Sequence, residues 1–224
     1  CTISIENNIL EFIDEYGMSD CKPVSTPSMI TAKLSSDDCT VEGQEKPDFP
    51  MKSFCGKALW ITRTCRPDCY FAVVQLCRFT DNFGTEHVKA AKHLLRYLKG
   101  TSSLGITYSA NGFIGKDGYN FPNLHAYADA EFATFDIDQR RSIGGLFIML
   151  ANGPIAWKNE MHARTSGSTA VAEYYTLSRC GERVQCIREH FLELLAAMGY
   201  PADIVATPIF EDNMTCIKIA NREC

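Results

Sequence analysis

The sequence HAYADAEFATFDIDQRRSIGGLFIMLANGPIAWK, residues 125–158, contains three short apolar runs separated by two polar turns. Aromatic residues surround Asp129 in the first run, branched residues fill 143–150 in the second, and residues 155–157 form the third. Runs of this length, bounded by Asn, Gly, Pro and Asp, predict β-strands joined by turns. We therefore predict three strands in series, with one acidic residue inside the first.

Asp129 is an unusual residue for the interior of a strand. Strands disfavour Asp, and a carboxylate that is removed from water needs a hydrogen-bonding partner or a metal ion. The position of this aspartate is therefore the first indication of a functional site.

Downstream of the three strands the pattern changes to a long helix, a short strand and a second helix. Residues 169–197 are strongly helical, with Gly181 as a position where the helix would kink or break. Residues 206–210 are predicted to form a strand, and a last helix is predicted to begin at Asn213. This order predicts a mixed sheet with flanking helices, an α/β (α+β) fold, over residues 121–224.

Residues 1–120 are predicted to form a separate, mainly helical segment, with a domain boundary near Asn120. Amphipathic patterns predict four helices, the third beginning at Pro67 and the last spanning residues 86–99. The helix that begins at Pro67 is expected to bury Phe71 together with other apolar side chains.

One face of the predicted helix 86–99 is strongly basic, opposite an apolar stripe. This face carries Lys89, Lys92, His93, Arg96 and Lys99. Two interpretations are open, because such a face can lie along a phosphate backbone and can also be an ordinary solvated helix surface.

Composition narrows the classes of function. The 224 residues include 22 Lys and Arg against 27 Asp and Glu, a formal net charge of −5. A global basic bias, which is typical of free-standing nucleic-acid binders, is absent. No apolar run is long enough for a membrane span, so no membrane partner is expected. The chain begins with Cys rather than Met, and we expect it to be a piece of a longer protein.

The eleven cysteines are odd in number and scattered, without a CxxC pair. We expect several of them to lie on apolar faces as small buried hydrophobic residues, in a reducing, intracellular compartment. A zinc site is a weaker alternative because the spacing of its candidate ligands is poor. Those ligands would be Cys65, Cys69, Cys77 and His87.

Three acidic residues occupy positions that this fold can bring together. Asp129 is inside the first strand, Glu173 is placed in the first turn of the long helix, and Asp212 ends the fourth strand. If the first and fourth strands pair in parallel, their carboxylates approach each other, and a helix packed across the sheet adds the third. Three clustered carboxylates repel unless divalent cations bind them.

Oxygen ligands without Cys or His favour Mg²⁺ or Mn²⁺. Two such ions about 4 Å apart can activate a water and stabilise the leaving oxygen in phosphodiester cleavage. Two of the three residues also have a structural interpretation. Glu173 suits a first helical turn, and Asp212 with Asn213 suits a helix cap. Asp129 has no comparable structural role.

Short motifs recur in a fixed order along nearly the whole chain. They are DCKPVSTP (20–27), RPD (66–68), LRYLKGT (95–101), YADA (127–130), RRS (140–142), GPI (153–155) with Trp157, AEY (172–174) and DN (212–213). As an ordered set they resemble the C-terminal part of a copia-type retrotransposon Pol polyprotein, where the end of the reverse transcriptase precedes a ribonuclease H domain.

The resemblance implies a ribonuclease H fold over 121–224, truncated at its C-terminus, that hydrolyses the RNA strand of an RNA–DNA hybrid with two carboxylate-bound Mg²⁺ or Mn²⁺ ions. Asp129, Glu173 and Asp212 match the first three catalytic carboxylates of the family. Residues 1–120 would be the thumb and connection of the reverse transcriptase. The implied partners are the RNA–DNA hybrid and the remainder of the polyprotein. Candidate nucleic-acid contacts are Lys89, Lys92, Arg96, Lys99, Arg140 and Arg141.

The chain departs from the family pattern at several positions. Glu131 and Phe132 replace the usual Asp and Trp, and Ala170 and Val171 replace Thr and Glu. The downstream His-Ile-Asp segment and the Asp-Asp motif of the polymerase are both absent, so no polymerase activity is expected. Two alternatives to a nuclease follow: a degenerate or domesticated module that binds nucleic acid or protein without cleavage, and a structural remnant.

Overall fold

The structure is a computed structural model that describes residues 1–29, 34–109, 124–132, 141–199 and 206–222, and the backbone of 113–114 and 120–121. Internal contacts divide the chain into Cys1–Thr107 and Tyr108–Cys224, here called unit 1 and unit 2. The predicted boundary near residue 120 lies in a stretch of which only short parts are described, and it stays a prediction. Helices combined with a mixed sheet confirm the predicted fold class.

Unit 1 is built mainly from helices. Its four α-helices are α1 (Glu6–Glu15), α2 (Met51–Thr64), α3 (Tyr70–Cys77) and α4 (Thr85–Gly100). Two 3₁₀ turns, Ser36–Asp38 and Pro67–Cys69, precede α2 and α3. Two short antiparallel strands, β1 (Thr2–Ile3) and β2 (Ile106–Thr107), pair the two ends of the unit.

The helices of unit 1 enclose a large apolar core. Its most buried members include Ile9, Phe12, Ile13, Phe54, Ile61, Val73, Leu76, Leu94, Leu95 and Leu98. The prediction for Phe71 is wrong, because this side chain is 37% exposed. Successive helix positions turn by about 100°, so Phe71 lies on the side of α3 opposite to the buried Val73 and Leu76.

Unit 2 contains the predicted strands. They form a sheet of order β7-β6-β5-β8, with β5 (His125–Glu131), β6 (Ile143–Leu150), β7 (Gly153–Met161) and β8 (Ile209–Phe210). A separate antiparallel pair joins β3 (Phe113–Ile114) to β4 (Asn120–Phe121). β5, β6 and β7 are antiparallel, whereas β8 runs parallel to β5 through the pairs Ala126–Ile209 and Tyr127–Phe210.

Two helices complete unit 2. α5 (Thr169–Ala197) is continuous through Gly181, so the expected interruption at this glycine does not occur. Ser168 caps α5 by accepting a hydrogen bond from the Val171 amide at 3.3 Å. α6 (Met214–Ala220) begins after Asn213. Among the helices of the described residues, none has the length and apolar character needed to cross a bilayer.

α5 covers one face of the sheet. The core between them contains Leu124, Ala126, Ala128, Leu146, Ile148, Cys180 and Val184. Because alternate residues of a strand point to opposite faces, the neighbouring residues of β5 lie on the other face. There the exposed rings of Tyr127 and Phe210 stack with centroids 5.2 Å apart.

Candidate metal centre

Asp129 lies in the middle of β5, on the face of the sheet that α5 does not cover. Its neighbours Ala128 and Ala130 are buried, whereas Asp129 itself is exposed. The residue opposite Asp129 on β6 is Gly145, which has no side chain to shield the carboxylate. The sequence thus leaves this strand carboxylate open to a ligand.

Glu173 is the most buried acidic residue of the site, with 4% of its surface exposed. Glu173 Oε2 is buried and has no hydrogen-bond partner among the described residues. The prediction that Glu173 occupies the first turn of its helix is wrong, because α5 begins at Thr169 and has no acidic residue in its first turn. A favourable interaction with the start of the helix therefore does not explain this glutamate.

Asp212 lies between β8 and α6. The cap of α6 is the next residue, Asn213, whose side chain accepts hydrogen bonds from the amides of Thr215 and Cys216 at 3.0 and 3.1 Å. Asp212 is thus exposed and has no capping role, so the structural interpretation of this residue does not hold either.

The structure brings the three predicted carboxylates together. One carboxylate oxygen from each of Asp129, Glu173 and Asp212 lies within 4.8 Å of the others. Among the residues that the structure describes, these form the one group of three or more His, Cys, Asp or Glu with ligand atoms close enough to hold a metal ion. The parallel pairing of β5 with β8 places the two aspartates side by side, and α5 supplies the glutamate.

Burial and mutual repulsion make this cluster electrostatically unfavourable. Burial, followed by the charges of Glu211 and Asp129, raises the pKa of Glu173 to about 7. A divalent cation would neutralise the repulsion, and hard oxygen donors with no sulfur or nitrogen suit Mg²⁺ or Mn²⁺. The donor set, together with the unpartnered Glu173 Oε2, therefore fits such an ion.

Sequence reasoning missed Glu211. This residue directly precedes Asp212 and is half-buried, and burial with the charges of Asp212 and Asp129 raises its pKa. Its Oε1 accepts a hydrogen bond from the Asn213 amide at 3.2 Å, and its Oε2 is buried without a partner among the described residues. The available signal was the pair of adjacent acids, Glu211 and Asp212, directly after a short strand.

The basic face of α4 has partners within unit 1. Arg96 Nε donates a hydrogen bond to the carbonyl oxygen of Lys22 at 2.7 Å. Lys99 donates to the carbonyl oxygens of Ser19 and Cys21. His93 contacts the carbonyl oxygen of Thr26 at 2.9 Å. These side chains hold residues 19–26 against α4, a role that the sequence pattern did not indicate.

The remaining candidate nucleic-acid contacts differ in their surroundings. Lys89 pairs with Glu86 on the exposed helix surface, and Lys92 has no ion pair or hydrogen bond with the described residues. Arg141 Nη1 lies 3.8 Å from Met161 Sδ. Arg140 lies outside the described residues. Contact of these side chains with nucleic acid stays a prediction.

The zinc alternative receives no support from the geometry. Within the described ranges, Cys65, Cys69, Cys77 and His87 do not form a group with metal-ligand spacing. Cys69 Sγ instead contacts Asp68 Oδ2 at 3.6 Å, and His87 Nδ1 accepts a hydrogen bond from the Gly84 amide. The described cysteines are all free thiols, and most are at least partly buried.

Comparison with known proteins relates the whole chain to a group of polyproteins. The chain is 32% identical over 195 residues to the retrovirus-related Pol polyprotein from transposon TNT 1-94 of Nicotiana tabacum, which covers 86% of this chain and 14% of that polyprotein. It is 30% identical over 228 residues to the Pol polyprotein from transposon RE1 of Arabidopsis thaliana. That match covers 97% of this chain and 15% of the polyprotein. The chain is 29% identical over 221 residues to the Pol polyprotein from transposon RE2 of the same plant. That match covers 94% of this chain and 14% of the polyprotein.

The chain belongs to the copia-type retrotransposon Pol polyproteins. The resemblance inferred from the ordered motifs is thereby confirmed. The chain spans 14% to 15% of the length of these three polyproteins, so it corresponds to one region of a Pol polyprotein. No protein-family model matches the chain, and no solved structure matches it.

Proposed function

We propose that unit 2 contains a ribonuclease H-type nuclease domain that hydrolyses the RNA strand of RNA–DNA hybrids during reverse transcription. Its metal ligands and catalytic carboxylates would be Asp129, Glu173 and Asp212. Residues 1–120 would be the thumb and connection of the reverse transcriptase. The observation that carries the proposal is the approach of three carboxylate oxygens, from β5, α5 and the turn that follows β8, to within 4.8 Å.

Two divalent ions, when bound, would supply an activated water and stabilise the leaving oxygen of the phosphodiester. The protein's own contribution is to fix the ligands before substrate arrives. The Asn213 cap fixes the turn that carries Asp212. Asp129 remains accessible because Gly145 opposes it.

Membership of the Pol family supports an activity that acts on nucleic acid. The three acids have no simpler structural role, and this supports a catalytic, metal-binding role for them. Neither Glu173 nor Asp212 has the helix-stabilising function that its sequence position suggested. A buried carboxylate oxygen without a donor costs free energy unless a ligand compensates it. Retention of such a group is therefore more consistent with a metal-dependent enzyme than with a purely structural remnant.

The test is cleavage of a labelled RNA–DNA hybrid by the whole chain in Mg²⁺ or Mn²⁺. We expect Asp129→Asn to lower the rate by at least about 100-fold, equivalent to about 2.7 kcal/mol of transition-state stabilisation, with folding retained. Glu193→Gln, an exposed site on α5, is the control and is expected to cleave normally.

Cleavage that is unchanged in Asp129→Asn would reject the assignment of this residue. Hybrid binding without any cleavage by the wild-type chain would instead favour the non-catalytic binding module. Absence of both activities would favour the structural remnant.

A further inference from the structure

A line of four aromatic side chains crosses the sheet of unit 2 on the face that α5 does not cover. Tyr127 of β5 is paired with Phe210 of β8 and with Phe147 of β6, and Phe147 is paired with Trp157 of β7. Paired residues of neighbouring strands point to the same face, so these four side chains form one line, here called the aromatic row. Each strand of the four-stranded sheet thus contributes one ring.

The aromatic row is open to solvent at its β8 end. Tyr127 and Phe210 are 47% and 50% exposed, even though their rings stack on each other. Phe147 and Trp157 are partly exposed, with ring centroids 6.5 Å apart. The ring of His125, on the same face, lies edge-on to Tyr127 at 5.5 Å. Contiguous apolar surface of this kind marks an interaction site more often than scattered apolar residues do.

The charges on this face favour a protein partner over nucleic acid. Lys158 is the one Lys or Arg within β5–β8, and its pairing with the core residue Leu146 places it on the face towards α5. Asp129 and Glu131 follow Tyr127 at alternate positions of β5, on the face of the row. A phosphate backbone is bound through Lys and Arg, whereas the centre of a protein interface is rich in aromatic rings and poor in charge.

The relatives of the chain indicate where such a partner comes from. In the Pol polyproteins of TNT 1-94, RE1 and RE2, the matching region is 14% to 15% of the molecule. The other regions are covalently joined to it, and a joined segment meets its site at an effective concentration that can reach the millimolar range. A segment of the same polyprotein therefore has an advantage over a separate protein or a second copy of this chain.

We infer that the aromatic row is the docking surface for an apolar segment of the same Pol polyprotein, from a region outside residues 1–224. The apolar side chains of that segment pack on the exposed rings of Tyr127 and Phe210. This inference goes beyond the nuclease proposal and is independent of it, because the row is present whether or not the neighbouring carboxylates bind a cation.

The experiment places a photocrosslinker on the row in the Pol polyprotein that carries this chain. p-Benzoylphenylalanine replaces Phe210, the polyprotein is irradiated, and the crosslinked peptides are mapped by mass spectrometry. We expect one main crosslink, within a single polyprotein molecule, to an apolar peptide outside residues 1–224. Raising the NaCl concentration should not lower its yield, whereas contact with nucleic acid would weaken steeply with salt.

Variants of Tyr127 then test whether the ring itself carries the docking. Tyr127→Ser should lower the docking constant at least about 10-fold, and with it the crosslink yield, as truncation of a central interface aromatic does. Tyr127→Phe keeps the ring and should retain the yield. Leu194→Ser is the matched control, because Leu194 is 54% exposed but lies on α5. Circular dichroism checks that each variant is folded.

Several results would overturn the inference. A product of twice the polyprotein mass would assign the row to contact between two copies, and a product that ribonuclease or deoxyribonuclease removes would assign it to nucleic acid. Crosslinks confined to peptides of residues 1–224, or no crosslink, would show that no other region docks there. Because this map is made with Tyr127 intact, it decides the question even if Tyr127→Ser does not fold.

Discussion

Arg66 in unit 1 and Glu173 in unit 2 are both almost fully buried charged residues, at 1% and 4% exposed, but their surroundings differ. The guanidinium of Arg66 donates to both carboxylate oxygens of Asp68 at 3.0 and 2.7 Å, and to Thr101 through its carbonyl and hydroxyl oxygens. Glu173 has no cationic partner in the described residues and faces further acids.

The pKa values follow this difference. Burial raises the pKa of Asp68, but the hydrogen bond and charge of Arg66 outweigh burial and hold it below its ordinary value. Burial and neighbouring acids act in the same direction on Glu173 and raise its pKa to about 7. Unit 1 thus compensates its buried charge with a cationic side chain, whereas Glu173 in unit 2 has no such partner among the described residues and is neutralised by a proton or by an added cation. The comparison distinguishes a charge that stabilises the fold from a charge that is available for function.

The largest effect expected from this comparison is on unit 1. Arg66→Met would leave the Asp68 carboxylate with the Tyr97 hydroxyl as its main remaining donor, at 2.9 Å. Removing one partner of a buried pair typically costs about 3–5 kcal/mol, so we expect a loss of that size in the free energy of unfolding.

Urea unfolding in a Trp157→Phe background would measure this loss, because Trp60 is then the one remaining tryptophan and lies in unit 1. Arg63→Met, on the exposed face of α2, serves as the matched control. A loss below about 1 kcal/mol would mean that the Arg66 pair contributes no more than a surface ion pair.

The next largest effect concerns unit 2, which we expect divalent cations to stabilise. At a free Mn²⁺ concentration of about 100 times its Kd, the gain in the free energy of unfolding is about 2.7 kcal/mol. The measurement uses Trp60→Phe, so that Trp157 reports on unit 2, and EDTA should reverse the gain. The same gain in Asp129→Asn would contradict a cation site at the cluster.

A smaller effect is expected on the pH dependence of the stability of unit 2, which should decrease as pH rises. The pKa of Glu173 is raised from 4.5 to about 7 in the folded chain, so its contribution to stability is full below pH 4.5 and is lost as pH rises through 7. In EDTA the free energy of unfolding of the wild type should therefore fall, relative to that of Glu173→Gln, as pH rises from 4.5 to 7. Over this range the folded wild type holds up to about one more proton than its unfolded state, and Glu173→Gln lacks this difference. A constant difference between the two proteins across these pH values would show that Glu173 does not titrate in this way.

The smallest effect on stability is expected at Lys92. Lys92→Ala should change the free energy of unfolding by no more than about 0.5 kcal/mol, because this ammonium has no partner within the described part of the chain. If α4 contacts phosphates, the same variant should reduce the salt dependence of hybrid binding by about one unit of slope. Arg96→Ala, by contrast, should lower stability, since Arg96 is bonded to the Lys22 carbonyl. An unchanged salt slope in Lys92→Ala would exclude this lysine as a phosphate contact.

Local sequence patterns predicted the helices and strands well, because the formation of these elements depends mainly on neighbouring residues. The alternation around Asp129 and the bounds of α5 at Thr169 and Ala197 are both local properties of the sequence. The approach of Asp129 to Asp212 additionally required the assumption of a parallel pairing, and the order of elements was sufficient to suggest that pairing.

The features that sequence reasoning missed depend on distant partners. The carbonyl oxygens that bind Arg96 and Lys99 belong to a segment more than 70 residues away, and backbone carbonyls leave no signal in a sequence. Glu211 was missed because its raised pKa depends on burial in the fold and on the charge of Asp129, a residue of another element. The position of Phe71 depended on how the short α3 is rotated against its neighbours.

The short pairing of β8 has a consequence for the order of events on the molecule. β8 joins β5 through two residue pairs, and Asp212 follows immediately at the point where this pairing ends. An ion bound by both Asp212 and Asp129 would cross-link β5 to the residues that follow β8. This is the edge of the four-stranded sheet where the strand pairing is shortest. Binding of the ion and docking of residues 206–222 onto the sheet would then be one coupled equilibrium. Amide hydrogen exchange of α6 should therefore slow as the fraction of metal-bound protein increases.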